Sequence, residues 1–280
     1  MKWKKTLFWI IAVVVTLSTA VYQRMTGPTY PKTISFEANG TSYKLQLPRS
    51  VNGYIDAVIS LDINDPDISG DIVYRRYPTN DTWDTVKFVR EDGQLIAWLP
   101  KQPAAGKLEY HVRFFDQGEP VELKQNENIV MRFKSNVPAW VLIPHILLIF
   151  SAMLLSNLTA IYALARYPSY KFYTGLTLIL FILGGMIMGP VVQKFAFGEY
   201  WTGFPFGWDL TDNKSLIAFI AWVIAWAGNR KGAERRYLVV AAALVNLAIA
   251  LIPHSLGGSE LDYSSGDIKT GMLFLTGLFF

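Results

Sequence analysis

The feature that most constrains this chain is that its apolar residues are collected into long blocks. One block covers residues 7–21, and four more cover 138–165, 172–192, 210–228 and 237–252. A helix needs about 20 apolar residues to cross the hydrocarbon core of a bilayer. Hydrophobic residues also make up 51% of the chain, a composition more apolar than soluble globular proteins usually have. We therefore expect an integral membrane protein with four or five transmembrane helices.

Both chain ends carry apolar segments of borderline length. Lys2, Lys4 and Lys5 precede the first block, a pattern typical of a signal peptide or a signal anchor over residues 1–23. Ser18 and Ala20 provide small residues for cleavage, but the block nearly reaches spanning length, which favours an uncleaved anchor. Residues 271–280 are apolar but too short to cross a bilayer at about 1.5 Å per residue. The membrane bundle is therefore expected over 138–280, as four helices plus this short segment.

The region 29–134 has a different pattern, in which short runs of alternating apolar and polar residues recur. The runs cover 34–36, 43–47, 72–74, 86–89, 95–99, 108–112 and 129–133. The turn pairs Asn39-Gly40, Asn52-Gly53, Ser69-Gly70, Asp92-Gly93 and Ala105-Gly106 separate them. Several short strands at this spacing predict an antiparallel β-sandwich. The expected fold class is thus mixed, with an antiparallel β-sandwich followed by an α-helical bundle.

One stretch of this region resembles a known family. Leu99-Pro100, and then the run from Ala105 through Tyr110 to Val112, is similar to the corner between strands E and F of fibronectin type III and immunoglobulin-like domains. In that family a tyrosine at the start of strand F hydrogen-bonds back to the corner, and the resemblance gives this place to Tyr110. The resemblance covers about a third of the chain. It implies a fold for residues 29–134 and does not imply a function.

The placement of charge predicts the orientation in the membrane. The N-terminus and two of the loops between apolar blocks hold nine basic residues and one acidic residue, Glu234. The basic ones are Lys2, Lys4, Lys5, Arg166, Lys171, Arg230, Lys231, Arg235 and Arg236. Basic residues flanking spans stay in the cytoplasm. We therefore expect a bacterial inner-membrane protein whose N-terminus, if uncleaved, is cytoplasmic and whose β region is extracytoplasmic.

Two of the three histidines suggest a metal or haem site. Both His145 and His254 end a Leu-Ile-Pro-His tetrapeptide, and the predicted topology places both near the outer membrane surface. Imidazole binds transition metals and haem iron. Four acidic residues on the same side complete the candidate ligand set: Asp209, Asp212, Glu260 and Asp262. The alternative is that each histidine is an interfacial residue at a helix end, with its proline starting or ending the helix.

The loop 195–209 is unusually aromatic. Seven of the residues from Phe195 to Trp208 are Phe, Tyr or Trp. Such rings favour the headgroup layer, so an aromatic belt is the preferred interpretation. The alternative is a lid over a site for a lipid, a quinone or a pigment. Asp209 at the end of the loop is expected to cap the following helix.

Three glycines and two asparagines are expected to hold helices together. Gly185 and Gly189, with Gly184 beside them, form a pattern of small residues that lets two helices approach closely. Asn157 and Asn246 are predicted to make side-chain hydrogen bonds inside the bundle.

The sequence favours a protein that is not an enzyme. It carries no nucleotide-binding loop, Ser/His/Asp signature or zinc-protease motif. Between Arg24 and Lys134 it has 14 basic and 15 acidic residues, which argues against nucleic acid as a partner. We expect a binding or assembly subunit that acts with the lipid bilayer and with membrane or periplasmic proteins. The rival is a redox or metal-handling subunit in which His145 and His254 hold haem b or a transition metal.

Overall fold

The computed structural model describes residues 2–125, 127–253 and 256–269. Within these ranges the chain forms two compact units. The helical unit consists of the residues before Thr29 together with 137–258. The β unit consists of Thr29–Asn136 together with Ser259–Lys269. The β unit therefore has a second stretch, which follows the last helix and which the sequence patterns did not assign to it.

The helical unit contains helices at the places where the apolar blocks predicted them. They are α1 (Lys2–Thr26), α2 (Ala139–Leu164), α3 (Tyr170–Phe181), α4 (Gly189–Phe197), α5 (Leu210–Gly228) and α6 (Arg236–Leu251). Among the described residues, three helical stretches are apolar and long enough to cross a membrane, namely Trp3–Thr26, Ala139–Leu164 and Tyr170–Phe197. The helix α6 is apolar but shorter. The first turns of α5 carry Asp212 and Lys214.

The stretch from α3 to α4 is not a regular α-helix, because a π-helical segment, Ile182–Met188, joins the two. Pro190 follows this segment, lacks an N–H group, and in an α-helix would clash with the carbonyl of Met186. Instead, the Gly189 N–H donates to the carbonyl of Gly184, five residues earlier. This wider turn accommodates the proline, so the span predicted over 172–192 is helical throughout but has a π-helical middle.

The helices pack around α2. It contacts α1, α3 and α6, while α5 contacts α3 and α6. The shared core contains Leu158 of α2, Trp222 of α5 and Val239 of α6, each fully buried. Many of the other buried residues are alanines, which let helix backbones approach closely.

The β unit is built of short strands. They are β1 (Lys32–Ala38), β2 (Thr41–Leu47), β3 (Ser50–Asn52), β4 (Ala57–Leu61), β5 (Ile68–Tyr77), β6 (Asp84–Lys87), β7 (Val89–Glu91), β8 (Gln94–Leu99), β9 (Lys107–Asp116), β10 (Glu119–Pro120), β11 (Ile129–Lys134), β12 (Glu260–Leu261) and β13 (Ile268–Lys269). The largest sheet has the order β3-β11-β9-β5-β6, with β10 paired to β9, and a second sheet has the order β4-β8-β7. The strands β1 and β2 form a hairpin, and β12 pairs with β13. Neighbours are antiparallel except β3 and β11, which are parallel.

One hydrophobic core is shared by the two larger sheets and the hairpin of β1 and β2. Its largest fully buried side chains include Phe36, Phe114 and Phe133. All of its buried residues lie between Ile34 and Phe133. Alternation along the strands produces this core, because every second residue of β4 and of β8 is buried.

Four of the five predicted turn pairs lie between strands or at the end of a strand, and one is wrong. Asn39-Gly40 and Asp92-Gly93 connect β1 to β2 and β7 to β8, and all four residues have positive φ. This is the conformation that favours Asn-Gly and Asp-Gly pairs in two-residue hairpins. In contrast, Gly70 lies inside β5, where an added Cβ would be 2.7 Å from the carbonyl oxygen of Arg113. Gly70 therefore permits the close approach of β9 and makes no turn.

The run 86–89, expected as one strand, is divided between two sheets. The strand β6 before Phe88 pairs with β5, and β7 after it pairs with β8. The Phe88 N–H donates to the carbonyl of Gly70 at 3.0 Å, and its ring stacks on Phe114. The chain thus passes from one sheet to the other at a core aromatic residue.

Candidate functional site

His145 connects two helical elements. It lies in the second turn of α2, half-buried, with Nδ1 2.9 Å from the carbonyl oxygen of Gly184. A carbonyl only accepts hydrogen bonds, so Nδ1 carries the proton and Nε2 of the neutral ring is left as an acceptor. The elements are close because Gly184 has no side chain: a Cβ there would lie 2.9 Å from the Cβ of Leu148. The expected close approach is confirmed at Gly184. At Gly185 and Gly189 an added Cβ would make only ordinary contacts, at 3.7 Å or more.

The second proposed ligand, His254, lies outside the described residues. The pairing of His145 with His254 therefore stays a prediction. The apolar segment 271–280 also lies outside them.

Asp209 and Asp212 bind backbone N–H groups. Asp209 is the N-cap of α5, and its side chain accepts from the N–H groups of Thr211 and Asp212, as predicted. Asp212 accepts from the N–H groups of Thr202 and Gly203 at 2.6 and 3.1 Å. Both carboxylates are buried, with 4% and 5% of their surface exposed. Their observed contacts hold the aromatic loop to the start of α5.

Lys214 is a buried cation at the same end of the helical unit. Only 5% of its surface is exposed, and its Nζ lies 3.1 and 3.3 Å from the carbonyl oxygens of Ile252 and Pro253. These carbonyls follow the C-terminus of α6, where a positive charge is favourable. The sequence does not predict these contacts, because every residue has a backbone carbonyl and the sequence does not show which ones lie near Lys214.

Glu260 and Asp262 belong to the β unit, and each has a basic partner there. The Glu260 carboxylate lies 2.5 Å from Nζ of Lys107. Asp262 pairs with Lys269 and also accepts from the backbone N–H and the hydroxyl of Ser264. These bonds hold the pKa of Asp262 well below its usual range, with the hydrogen bond from Lys269 as the largest cause.

The five described members of the candidate ligand set are divided between the two units. His145, Asp209 and Asp212 lie in the helical unit, whereas Glu260 and Asp262 lie in the β unit. In the part of the chain that the structure describes, no group of three His, Cys, Asp or Glu side chains is arranged to hold a metal.

The aromatic loop presents its rings on the surface of the helical unit. The exposed fraction is 82% for Phe206, 63% for Trp208 and 59% for Phe204. Trp140, in the first turn of α2, contacts Phe195 edge-on with ring centroids 6.0 Å apart. Exposed rings gathered at one end of a helical unit are the arrangement that an aromatic belt requires.

An aromatic and charged cluster lies on the polar face of β5 and β9. It consists of Arg75, Trp83, Glu109 and His111, and we call it the Trp83 cluster. The Arg75 guanidinium lies 4.4 Å from the centre of the Trp83 ring and pairs with Glu109 at 2.9 Å. Trp83 also contacts His111 edge-on, and burial lowers the pKa of His111. The alternating pattern predicted these strands, but the position of Trp83, which precedes β6, could not be read from it.

The corner that resembles the fibronectin type III and immunoglobulin-like domains is built differently from the expectation. Tyr110 is fully buried, but its hydroxyl donates to the carbonyl of Pro48 at 2.7 Å and not back to the corner. A different tyrosine binds there. The hydroxyl of Tyr263 accepts from the N–H of Lys107, just after the predicted turn at Ala105-Gly106.

Compared with known proteins, the chain matches no protein-family model and no curated protein.

Proposed function

We propose that this chain is an integral membrane protein that holds an extracytoplasmic β-sandwich for binding or complex assembly, without catalysis of its own. The sandwich, with an immunoglobulin-like or fibronectin type III-like arrangement, is supported by the single core that the two larger sheets share. The observation that carries the proposal is that two separate stretches of the chain, Thr29–Asn136 and Ser259–Lys269, make up the β unit.

Because the β unit is made of two separate stretches of chain, the number of membrane crossings between them is restricted. Both stretches of the β unit must lie on one side of the bilayer, so an even number of crossings separates them. The stretch α2 and the stretch from α3 to α4 are long and apolar enough to supply two. Consequently α5 and α6 either both cross or both do not. At about 1.5 Å per residue, α6 is about 24 Å long, a little shorter than the hydrocarbon core of a bilayer, which is about 30 Å thick. Its buried residues pack with those of α2 and α5, which supports crossing.

The basic end of the helical unit supports the proposed orientation. Lys171 lies 3.8 Å from Glu234, and Tyr170 donates to Asn229 at 2.9 Å. The two basic loops therefore meet at one end of the helical unit. Basic residues at spans favour the cytoplasm, which supports an extracytoplasmic β unit.

The absence of cysteine from the sequence allows a clean test of this topology. Single cysteines would replace Asn80 and Ser265, both exposed in the β unit, and Ala233 between α5 and α6. In intact cells a membrane-impermeant maleimide should label the first two positions and leave Ala233→Cys unlabelled until the cells are lysed. Labelling of Ala233→Cys in intact cells, or protection of Ser265→Cys, would contradict the topology.

The Trp83 cluster is the surface that we assign to partner binding. Tryptophan and arginine are enriched at the energetic centres of protein interfaces. The protein extracted from its own membrane in mild detergent should run as a stoichiometric complex, and Trp83→Ala should release the chain from it. Trp98→Ala is the matched control, since Trp83 and Trp98 are both 39% exposed but Trp98 lies in β8, on a different sheet from β5 and β9. A wild-type chain that runs alone would oppose the proposal.

One observation favours a second function, that of a metal-handling or redox subunit. Nδ1 of His145 is bound to a carbonyl oxygen, which is how metal-ligating histidines are commonly oriented. Under this function, purified protein should contain stoichiometric metal or haem, and His145→Ala should remove it while His111→Ala should not. Protein without metal and without a Soret band would exclude it.

A further inference from the structure

The residues 259–269 bind to one end of the β unit after the last helix. We call them the return segment. Ser259 and Leu261 are buried there, with exposed fractions of 1% and 8%. The strands β12 and β13 make the segment a hairpin, in which Asp262 pairs with Lys269.

A tyrosine hydroxyl makes the central polar contact of the return segment. Tyr263 Oη lies 2.9 Å from the N–H of Lys107, which donates to it. It also lies 2.9 Å from the carbonyl oxygen of Lys107 and 3.0 Å from Oε1 of Gln102, either of which accepts its proton. The site has room for this hydroxyl because Gly106 has no side chain: a Cβ there would lie 3.0 Å from it.

Three cations of the β unit surround the return segment. Lys107 pairs with Glu260 at 2.5 Å, and the two side chains are only 15% and 13% exposed. Arg132 donates to the carbonyl of Ser259 at 3.2 Å. The Arg76 guanidinium lies 5.1 Å from the centre of the Tyr263 ring. A carboxylate, a carbonyl and an aromatic ring thus each face a positive charge.

The return segment is attached to the β unit but does not extend its sheets. The strands β12 and β13 pair only with each other in the described structure. The backbone link to the rest of the unit is the bond from the Leu261 N–H to the carbonyl of Ala105, at 3.1 Å. The hydrophobic core of the unit contains no residue of the segment. Its attachment therefore depends mainly on side chains, as the attachment of a bound peptide does.

We propose that Arg76, Gln102, Ala105–Lys107 and Arg132 form a docking site for an acidic segment that carries a tyrosine, and that the return segment is its removable occupant. The β unit keeps its core when the segment leaves. The contacts of the segment lie within the β unit alone, so they do not depend on a partner bound at the Trp83 cluster.

Hydrogen exchange of the full chain tests whether the segment opens independently. Tyr263→Phe removes the acceptor of the Lys107 N–H, so we expect the amides of Lys107 and Leu261 to exchange about fivefold faster. The amide of Val112, in the β5–β9 ladder, should keep its rate. Tyr54→Phe is the matched control, because it removes another tyrosine hydroxyl contact in the β unit, to Ser135. Equal acceleration at Lys107 and Val112 would mean that the segment is an integral part of the fold.

A peptide of residues 258–269 tests the docking site directly. The full chain with Glu260→Lys and Tyr263→Ala should leave its site open, and it should bind the fluorescent peptide in a polarisation assay. A peptide with Glu260→Gln and Tyr263→Phe should bind at least about tenfold more weakly, because it lacks both the charged and the hydroxyl contact. The unaltered full chain, whose own segment occupies the site, should bind the natural peptide less tightly than the opened chain does. Absence of binding to the opened chain would overturn the proposal.

Discussion

The side-chain amide of Asn157 in α2 donates a hydrogen bond to the hydroxyl of Thr16 in α1, over a distance of 2.9 Å. Asn246 of α6 donates in the same way to Ser156 of α2, at 3.1 Å. The prediction that both amides bond inside the bundle is confirmed, and their partners are hydroxyls and not each other. Two polar bonds thus join α2 to both of these helices.

The replacement Asn157→Leu should destabilise the protein only slightly. Side-chain hydrogen bonds between membrane helices average about 0.6 kcal/mol, because the unfolded chain finds other partners. The free energy of unfolding in mixed micelles should fall by about that amount. A double-mutant cycle with Thr16→Val isolates the bond, and a coupling above about 2 kcal/mol would contradict this account.

Two adjacent glycines should respond oppositely to alanine. At Gly184 the new methyl group would lie 2.9 Å from Leu148 Cβ and 3.1 Å from the backbone nitrogen of Ile149, so α2 would have to move. At Gly185 the nearest atom would be 3.7 Å away, an ordinary contact. We expect Gly184→Ala to lower the free energy of unfolding by about 1–3 kcal/mol. Gly185→Ala should leave the free energy of unfolding unchanged or raise it slightly. If the two variants changed it equally, the close approach of Gly184 to α2 would be refuted.

Lys214→Met should destabilise the helical unit. The substitution keeps most of the side-chain volume but removes the charge that binds the carbonyls after α6. We expect a loss of about 1–2 kcal/mol in the free energy of unfolding, the scale of a partly buried charge at a helix end. Lys194→Met is the control, because Lys194 is exposed and bonds the carbonyl of Gly198 at the end of its own helix. The expectation fails if both variants lower the free energy of unfolding by the same amount.

His111 should make the stability of the β unit depend on pH. Burial lowers its pKa below the ordinary 6.5, so on acidification the unfolded chain takes up a proton before the folded chain does. The β unit should therefore lose stability as the pH falls below the ordinary pKa of histidine, about 6.5. In His111→Gln the midpoint of thermal unfolding should depend less on pH in this acidic range. An unchanged slope in the variant would assign the effect to other groups.

Local patterns predicted much of the fold. The apolar blocks located α2 and α5 closely, because a helix that is apolar on all sides needs a continuous run of apolar residues. The pairs Asn39-Gly40 and Asp92-Gly93 located hairpins, because few residue pairs tolerate two positive φ angles.

The missed features depend on contacts between distant parts of the chain. Lys214 reaches a carbonyl 38 residues later, and Tyr263 reaches Lys107 across 156 residues. The strand β4, at Ala57–Leu61, has the alternation of a strand but was passed over, because no turn pair directly bounds it. Of the candidate ligands, the N-cap role of Asp209 was predictable from its position. The partners of Glu260 and Asp262 were not.

The position of the return segment, after the last helix, determines when during synthesis it can bind the β unit. Synthesis proceeds from the N-terminus, so the ribosome makes every helix from α2 to α6 before it makes Glu260 and Tyr263. The core of the β unit, complete by Phe133, can form long before that moment. The contact between Tyr263 and Lys107 can therefore form only after the whole chain between them has been made.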